Sequence, residues 1–148
     1  SMKLSDFSSL MVRKARTHED FDHAMRIRHA GYGKYGLSLT DVEEPLDRSP
    51  QATILIAENG DGRVVGTMRI LDRTLGPIEL DRYLDLPALF PATQLLCAEA
   101  TRLSVPASPL SPSIKCALWK AFHRYCLGFQ LTTMLIWARP GGGEIIAC

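Results

Sequence analysis

The feature that most restricts the fold of this chain is a β-hairpin pattern near its middle. Residues 52–57 and 64–71 form two apolar runs, which are separated by Asn59-Gly60-Asp61-Gly62. Asn-Gly and Asp-Gly pairs readily adopt the left-handed backbone conformations of tight hairpin turns, and β-branched residues in the flanking runs favour strands. The pattern predicts two adjacent antiparallel strands, so the fold must contain a sheet built around them.

A helix is predicted directly after residue 17. Thr17 has a side chain suited to an N-cap, and Asp20, three residues later, completes an approximate capping box. Apolar residues then recur at helical spacing, and the glycines from Gly31 onward favour an end to the helix. The positions predicted to be buried are Phe21, Ala24, Met25 and Ile27.

A second helix is predicted from Ser113 to about Leu127. Three prolines between residues 106 and 112 exclude helix before it, and Gly128 predicts its C-cap. Basic residues fall largely on its solvent side and apolar residues, spaced by three and four, on the other. The basic residues are Lys115, Lys120 and Arg124, and the apolar stripe is Ile114, Ala117, Leu118, Ala121, Phe122 and Tyr125.

The remaining segments complete the predicted order of elements. Further strands are expected at residues 10–15, 96–105 and 131–137. Residues 37–51 are predicted to be irregular or to form a short helix, and residues 75–94 to form a loop with short helical turns. The last strand–helix–strand step predicts a parallel pair with a right-handed crossover. A mixed α/β (α+β) domain follows, with helices packed on the faces of a mixed sheet.

Length and charge narrow the class of protein. The chain has 148 residues, enough for one domain with its own core. Its formal net charge of +1 predicts neither a nucleic-acid nor an anionic-membrane partner. No apolar run is long enough to span a bilayer, and the first residues lack the apolar core of a signal peptide. A cytoplasmic location is therefore expected.

The cysteines and histidines predict no metal site. No two of the four cysteines form a C-x-x-C pair, and the four histidines do not lie at zinc-finger spacing from them. Free and mostly buried thiols are expected instead, with Cys116 and Cys126 on or near the apolar stripe of the second helix. The remaining cysteines are Cys97 and Cys148.

Two strand motifs and one helix motif carry the functional signal. Val65-Gly-Thr-Met-Arg69-Ile-Leu reads G-x-x-R-[LI], and Glu99-Ala-Thr-Arg102-Leu-Ser-Val105 reads E-x-[ST]-R-[LF]-x-V. Upstream, Arg28-His-Ala-Gly-Tyr32 reads R-x-x-x-[FY]. From about residue 12 to 138 the chain resembles the acyl-homoserine-lactone synthases and, more closely, the long-chain N-acyl amino acid synthases.

The resemblance implies a GCN5-related acyltransferase fold and an N-acyltransferase activity. In that fold the strand matching residues 98–105 diverges from the strand matching residues 131–137, and the pantetheine arm of an acyl-thioester lies between them. The implied donor is an acyl carrier protein thioester or acyl-coenzyme A, with no permanently bound cofactor. The implied acceptor is the amine of an amino acid or a derivative. No glycine signature for coenzyme A follows Val105, which favours the carrier protein.

Glu99 is the candidate catalytic base. It lies in an otherwise apolar strand, where desolvation raises the pKa of a carboxyl group and improves it as a proton acceptor. The alternative is an ion pair with Arg69 or Arg102 that holds the sheet together. In a regular strand, residues 99 and 102 face opposite sides, so Glu99 and Arg102 can share a site only if a β-bulge separates them.

Arginines are the candidate acceptor-binding residues. Arg102 and Arg69 can each bind a carboxylate in bidentate fashion, or can lie on an outer face with solvated heads. Arg28 is predicted either to contact the acceptor or phosphopantetheine, or to cover the core from the surface with its stem. Tyr32 belongs to the same helix motif and is assigned to acceptor binding by the resemblance.

The donor thioester is assigned to the end of the motif strand and the start of the second helix. The backbone of Leu103, Ser104 and Val105 can pair with pantetheine amides. The free amides of the helix N-terminus near Ser113 can receive a phosphate, and Lys115 adds positive charge there. The basic face of this helix either docks an acidic carrier protein or is simply solvated.

Departures from the lactone synthases favour plain amide formation. Their tryptophan position corresponds to Ser38, and their E-x-D-x-Y-D motif is missing, with Asp47 the nearest acid.

The fold normally continues beyond the last predicted strand, so the domain is expected to be truncated near residue 138. The alternative function is an inactive or partial acyl-thioester-binding module that self-associates through its last strand.

Overall fold

A five-stranded mixed sheet organises the chain in a computed structural model that describes residues 9–32 and 42–136. The strands are β1 (Met11–Lys14), β2 (Ala52–Glu58), β3 (Val64–Asp72), β4 (Cys97–Ser104) and β5 (Thr133–Ile136). They lie in chain order across the sheet. The first four are antiparallel neighbours, and β5 runs parallel to β4. The predicted mixed fold is confirmed.

The β2–β3 hairpin follows from its turn residues. The Asn59 side-chain oxygen accepts hydrogen bonds from the backbone N–H groups of Asp61 and Arg63, at 3.1 and 3.0 Å. Gly62 has φ of 75°, a conformation that other residues adopt only with strain. The predicted antiparallel hairpin is confirmed, and each strand extends one residue further than its apolar pattern.

Within residues 9–32 and 42–136, the helices are α1 (His18–Tyr32), the four-residue α2 (Leu86–Leu89) and α3 (Ser111–Gly128). The same residues contain three 3-10 turns, at Pro45–Arg48, Glu79–Arg82 and Ala92–Leu95. The last two and α2 are the short helical turns predicted for the loop before β4. The described part of residues 37–51 likewise contains a short helical turn, as expected.

The ends of α3 differ from the prediction in two ways. The helix begins at Ser111 rather than Ser113, because Pro112 lies in the first turn, where a backbone N–H has no helical partner and proline is tolerated. Gly128 is the last helical residue rather than the C-cap. The C-cap is Phe129, and the left-handed conformation falls on Gln130, with φ of 57°.

The N-terminus of α1 contains the predicted capping box. The Asp20 N–H donates to Thr17 Oγ1 at 3.0 Å, and the Thr17 N–H donates to Asp20 Oδ2 at 3.2 Å. Phe21, Ala24 and Met25 are buried as predicted, but the last predicted position, Ile27, is only partly buried, and Arg28 is fully buried instead. Residue 28 continues the helical spacing set by the buried Phe21, Ala24 and Met25.

Alternating side chains divide the interior into cores on the two faces of the sheet. The α3 face is packed with aliphatic residues of β2, β3 and β4 against the apolar stripe of the helix. The opposite face is covered by α1, which contacts β2, β3 and β4, and by the segment between β3 and β4, which packs on Leu71, Cys97 and Leu135. The α3 core contains Leu55, Ala57, Met68, Ile70, Ala98, Ala100, Ile114, Leu118, Phe122 and Cys126.

Two of the three cysteines among the described residues, Cys97 and Cys126, are buried thiols, as expected. Cys116 is exposed, since it lies outside the buried stripe of α3. Residues 9–32 and 42–136 contain no helix that is both long and apolar enough to cross a bilayer, and no acid, histidine and cysteine cluster suited to a metal ion. The predictions for Ser38 and Cys148 and the end of the last predicted strand at residue 137 lie outside the described residues.

Candidate functional site

A β-bulge in β4 determines where its functional side chains point. Thr67 pairs with Ser104 and Arg69 pairs with Thr101, so two residues of β4 lie opposite one residue of β3. Arg102, inside the bulge, has φ of 53°, which is a strained conformation for a residue with a Cβ. The bulge turns Arg102 toward the α1 side of the sheet. The condition for Glu99 and Arg102 to share a site is therefore met.

A buried ion pair forms the innermost layer of the site. Arg28 of α1 donates two hydrogen bonds to Asp47, at 2.8 and 3.0 Å, and a third to the carbonyl oxygen of Val42 at 3.0 Å. Both charged side chains are 0% exposed. The alternative in which Arg28 is a surface residue is therefore wrong. The chain accommodates this buried arginine because the 3-10 turn Pro45–Arg48 brings a carboxylate to it.

Arg69 of β3 lies beside this pair and is also fully buried. Its Nε donates to Thr101 Oγ1 at 2.9 Å, and its terminal nitrogens donate to Asp47 at 2.9 Å and to Glu79 at 2.8 Å. A longer contact of 3.2 Å joins it to Glu44. Each guanidinium nitrogen thus has an acceptor, and Arg69 does not lie on an outer face with a solvated head.

Arg102 forms the outer layer between two carboxylates. Its Nε and one terminal nitrogen donate to the two oxygens of Glu44, at 2.7 and 3.0 Å. It also lies 2.6 Å from Oε1 of Glu79 and 3.4 Å from Oε2. The three side chains are 25%, 34% and 18% exposed, respectively, so this layer is reached by solvent.

We name the three arginines and the three acids that they contact the ion-pair cluster. Burial alone would raise the pKa of Asp47, but the hydrogen bonds and charge of Arg28, a backbone N–H and the charge of Arg69 hold it below its ordinary value. Burial likewise opposes ionisation of Glu44, and the hydrogen bonds and charge of Arg102 outweigh it, so its pKa is also lowered. The cluster consists of Arg28, Glu44, Asp47, Arg69, Glu79 and Arg102.

Glu99 lies at the base of the cluster and is 0% exposed. Its two oxygens accept hydrogen bonds from the backbone N–H groups of Glu79 and Leu80, at 2.9 and 3.0 Å. The carboxylate therefore binds the beginning of the 3-10 turn Glu79–Arg82. The expected burial of Glu99 is confirmed, and its role as a base stays a prediction.

Three acids of the cluster were not predicted as site residues. Glu44 and Asp47 lie three positions apart around Pro45, and Glu79 lies in the loop before β4. The sequence singled out Asp47 only as the nearest acid to a missing motif. A usable signal existed, since three arginines assigned to one site require nearby acids, but spacing alone does not show which ones fold against them.

The residues predicted to bind the donor lie apart from the cluster, at the end of β4 and the start of α3. Leu103 and Val105 pack against the α3 core, and Ser104 is buried. The Ser104 hydroxyl lies so near α1 that a Cβ placed on Gly31 would be 2.4 Å from its oxygen. Ser113 and Lys115 lie in the first turns of α3. For Tyr32 the structure describes the backbone at the end of α1, but not the side chain.

A cavity of about 480 Å³ lies beside these donor-site residues. Its walls come from the hairpin turn, the segment after β4 and the start of α3. They are mainly apolar, and Arg63 and Asp61 line it as charged residues. Apolar lining residues include Leu10, Val65, Pro106, Leu110 and Ile114.

No known protein family profile and no curated protein sequence matches the chain. Solved structures do match it. The chain is similar to FeeM, an N-acyl amino acid synthase from uncultured soil microbes, with a TM-score of 0.68, 19% identity, and coverage of 88% of this chain and 72% of that chain. It is also similar to a GNAT-family acetyltransferase from Staphylococcus aureus, with a TM-score of 0.57, 10% identity, and coverage of 88% and 74%.

A third similar structure is a predicted acetyltransferase with acetyl-CoA from Clostridium acetobutylicum. Its TM-score is 0.61 at 12% identity, with coverage of 90% of this chain and 83% of that chain. The chain therefore has the fold of the GCN5-related N-acetyltransferases, and the resemblance read from its motifs is confirmed at the level of fold. An N-acyl amino acid synthase is among the structures that share it.

Proposed function

We propose that this protein is an N-acyltransferase that moves an acyl group from a thioester to the amine of an amino acid or a related compound. The observation that carries the proposal is the outer layer of the ion-pair cluster. In that layer the guanidinium of Arg102, which the bulge in β4 turns toward α1, lies between the partly exposed carboxylates of Glu44 and Glu79. The fold is shared with acyltransferases. Charges of both signs at one solvent-reached place suit an acceptor that carries both signs itself.

The acceptor is recognised by charge. Arginine binds carboxylates through its planar fork of donors, and Arg102 is the partly exposed arginine of the cluster and lies on the motif strand. Glu44 and Glu79 surround it with negative charge, which attracts an ammonium group. Arg69 and Arg28 are fully buried, so they support these groups from beneath rather than meet the acceptor first.

The donor is proposed to lie where β4 ends and α3 begins. An 18-residue helix has free N–H groups and positive partial charge at its N-terminus, which favour the phosphate of a phosphopantetheine arm. Lys115 is exposed in that turn and adds charge. The neighbouring apolar cavity of about 480 Å³ offers room for an acyl chain. The donor is an acyl carrier protein thioester or acyl-coenzyme A.

The reaction needs three events. The neutral amine nitrogen attacks the thioester carbonyl carbon, a carbon–nitrogen bond forms as the carbon–sulfur bond breaks, and the amine proton passes to a base while the thiolate leaves. Excluding water from the thioester favours the amide over hydrolysis. The resemblance gives Glu99 as the candidate for this base, although both of its oxygens already accept backbone hydrogen bonds.

The test is product detection with defined donors and acceptors. Purified protein is incubated with C2 and C16 thioesters of coenzyme A and of acyl carrier protein, together with a panel of amino acids, and products are identified by mass spectrometry. Appearance of an N-acyl amino acid with stoichiometric free thiol supports the proposal. Binding of a thioester without transfer, across every donor and acceptor, would show the inactive acyl-thioester-binding module instead.

A further inference from the structure

The turn after β3 is held in place by Glu99. The carboxylate of Glu99 bonds to the N–H groups of Glu79 and Leu80, at 2.9 and 3.0 Å. Asp81 closes the same turn by accepting from the Ile78 N–H at 2.9 Å, and the Leu80 side chain is only 2% exposed. The hydrogen bonds of Glu99 and Asp81 fix the backbone of the Glu79–Arg82 turn, and the burial of Leu80 anchors its side chain.

The fixed turn presents the carboxylate of Glu79 to the open side of the cluster. Its Oε1 accepts from Arg69 at 2.8 Å and lies 2.6 Å from Arg102, whereas its Oε2 makes a contact of 3.4 Å with Arg102. Charge-assisted hydrogen bonds are normally 2.7–2.9 Å long, so Oε2 is the more weakly bonded oxygen. It belongs to a side chain that is 18% exposed, whereas the Glu99 side chain is not reached by solvent.

The formal charges of the ion-pair cluster balance. Arg28, Arg69 and Arg102 contribute three positive charges, and Glu44, Asp47 and Glu79 contribute three negative charges. Of the three acids, Glu44 and Glu79 are partly exposed, so an ammonium group that enters from solvent meets them before it could meet the buried Asp47.

From these contacts we infer that Glu79 is the carboxylate that receives the ammonium of the acceptor, and that Glu99 is a positioning residue that holds the Glu79–Arg82 turn. The inference rests on the proposed function for the reaction, but not for the role of Glu99 in the turn. The Glu99 carboxylate is fully buried, and its two oxygens each accept a hydrogen bond from the backbone of the turn. Glu79 is partly exposed, so an acceptor can reach its carboxylate from solvent.

The kinetic test separates binding from proton transfer. Glu79→Gln should raise the KM for the amine acceptor about tenfold, which corresponds to about 1.4 kcal/mol, and leave the KM for the thioester unchanged. Glu99→Gln should raise the same KM and keep both limbs of the pH–rate profile, because the turn is displaced but no base is removed. Glu43→Gln is the matched control, since Glu43 is an exposed acid paired with Arg48. Should Glu79→Gln not fold, Glu79→Asp supplies the KM measurement.

Two outcomes overturn the inference. One is an unchanged acceptor KM in folded variants of Glu79. The other is a fall in kcat of a hundredfold or more in Glu99→Gln, with an unchanged acceptor KM and the loss of one limb of the pH profile, since that combination identifies Glu99 as the base.

A second measurement does not require turnover. Hydrogen exchange should be faster at the amides of Glu79 and Leu80 in Glu99→Gln than in the wild type, and unchanged in Glu43→Gln. Equal exchange in the wild type and in Glu99→Gln would overturn the positioning role. If the wild type acylates no amine, the proposed function fails, and the exchange result still decides whether Glu99 holds the turn.

Discussion

Replacing Asp47 by asparagine should destabilise the fold more than any other single change of charge in the described cluster. Asp47 is 0% exposed and accepts hydrogen bonds from two fully buried arginines, Arg28 and Arg69. It also accepts the N–H of Glu44 at 2.7 Å. Asparagine has nearly the same size, so the substitution removes the negative charge without opening a cavity.

The expected loss of stability follows from the buried arginines that would remain without the Asp47 carboxylate. Removing one partner of a buried ion pair costs about 3–5 kcal/mol, because the remaining charge is desolvated and uncompensated. Native domains are stable by about 5–15 kcal/mol, so this loss is a large part of the total. At about 2–4 °C per kcal/mol for a domain of this size, Tm should fall by about 6–20 °C.

Urea unfolding followed by circular dichroism measures the change. The midpoint should shift to lower urea concentration without a change in m-value, which would mean that stability has changed and the surface exposed on unfolding has not. Glu43→Gln is again the control, since an exposed ion pair contributes only about 0–1 kcal/mol. A loss below about 1 kcal/mol for Asp47→Asn would refute the buried ion pairs described here.

The remaining predictions concern packing, a hydrogen bond and pH. Gly66→Ala should cost about 1–3 kcal/mol in urea unfolding, because the new Cβ would lie 2.8 Å from Cγ2 of the buried Ile114; unchanged stability would contradict this close approach. Tyr125→Phe should cost about 1–3 kcal/mol by thermal unfolding, since it removes the 2.9 Å hydrogen bond to the buried Asp72, and a neutral result would show that water replaces the hydroxyl. The lowered pKa of Asp47 stabilises the fold above the unfolded value of about 4, and this contribution is lost as pH falls through the folded pKa, so the Asp47→Asn variant should lose less stability in acid than the wild type.

The elements that the sequence predicted best have local causes. The hairpin follows from its Asn-Gly-Asp-Gly turn, and the start of α1 follows from a capping box whose two partners are three residues apart. The sequence also showed that Glu99 and Arg102 could share a site only across a bulge, because alternation along a strand is a strict geometric rule, and the structure contains that bulge. Local chemistry decides these features, so a single sequence displays them.

The features that the sequence did not predict depend on long-range contacts. Arg102 and Glu44 are 58 positions apart, and Arg69 and Asp47 are 22 positions apart. No periodicity links such residues, and only the completed sheet brings them together. The burial of Arg28 was missed for the same reason, because an arginine on a helix is normally exposed unless a carboxylate from elsewhere meets it. The C-cap of α3 was predicted at Gly128 from the preference of glycine for helix ends, whereas the C-cap is Phe129 and the left-handed conformation falls on Gln130.

Self-association and the nature of the acyl carrier stay predictions. Among the described strands, β5 is the last in the sheet and pairs with β4 along one edge, and self-association was predicted through this strand. Light scattering measures whether the protein dimerises. Parallel assays with coenzyme A and carrier-protein thioesters measure which donor is used. A carrier protein that docks on the exposed basic residues of α3 should show salt-sensitive kinetics, whereas free acyl-coenzyme A should show a weaker dependence.

The most direct test of the proposed N-acyltransferase is transfer of a labelled acyl group from a thioester to an amino acid, compared between the wild type and Arg102→Gln. Arg26→Gln serves as the matched control, because Arg26 is an exposed arginine on α1. The proposed function predicts an N-acyl amino acid with the wild type and with Arg26→Gln, and at least a tenfold loss of kcat/KM for the acceptor with Arg102→Gln. No product with the wild type, or equal rates with Arg102→Gln, would contradict an acceptor site at the ion-pair cluster.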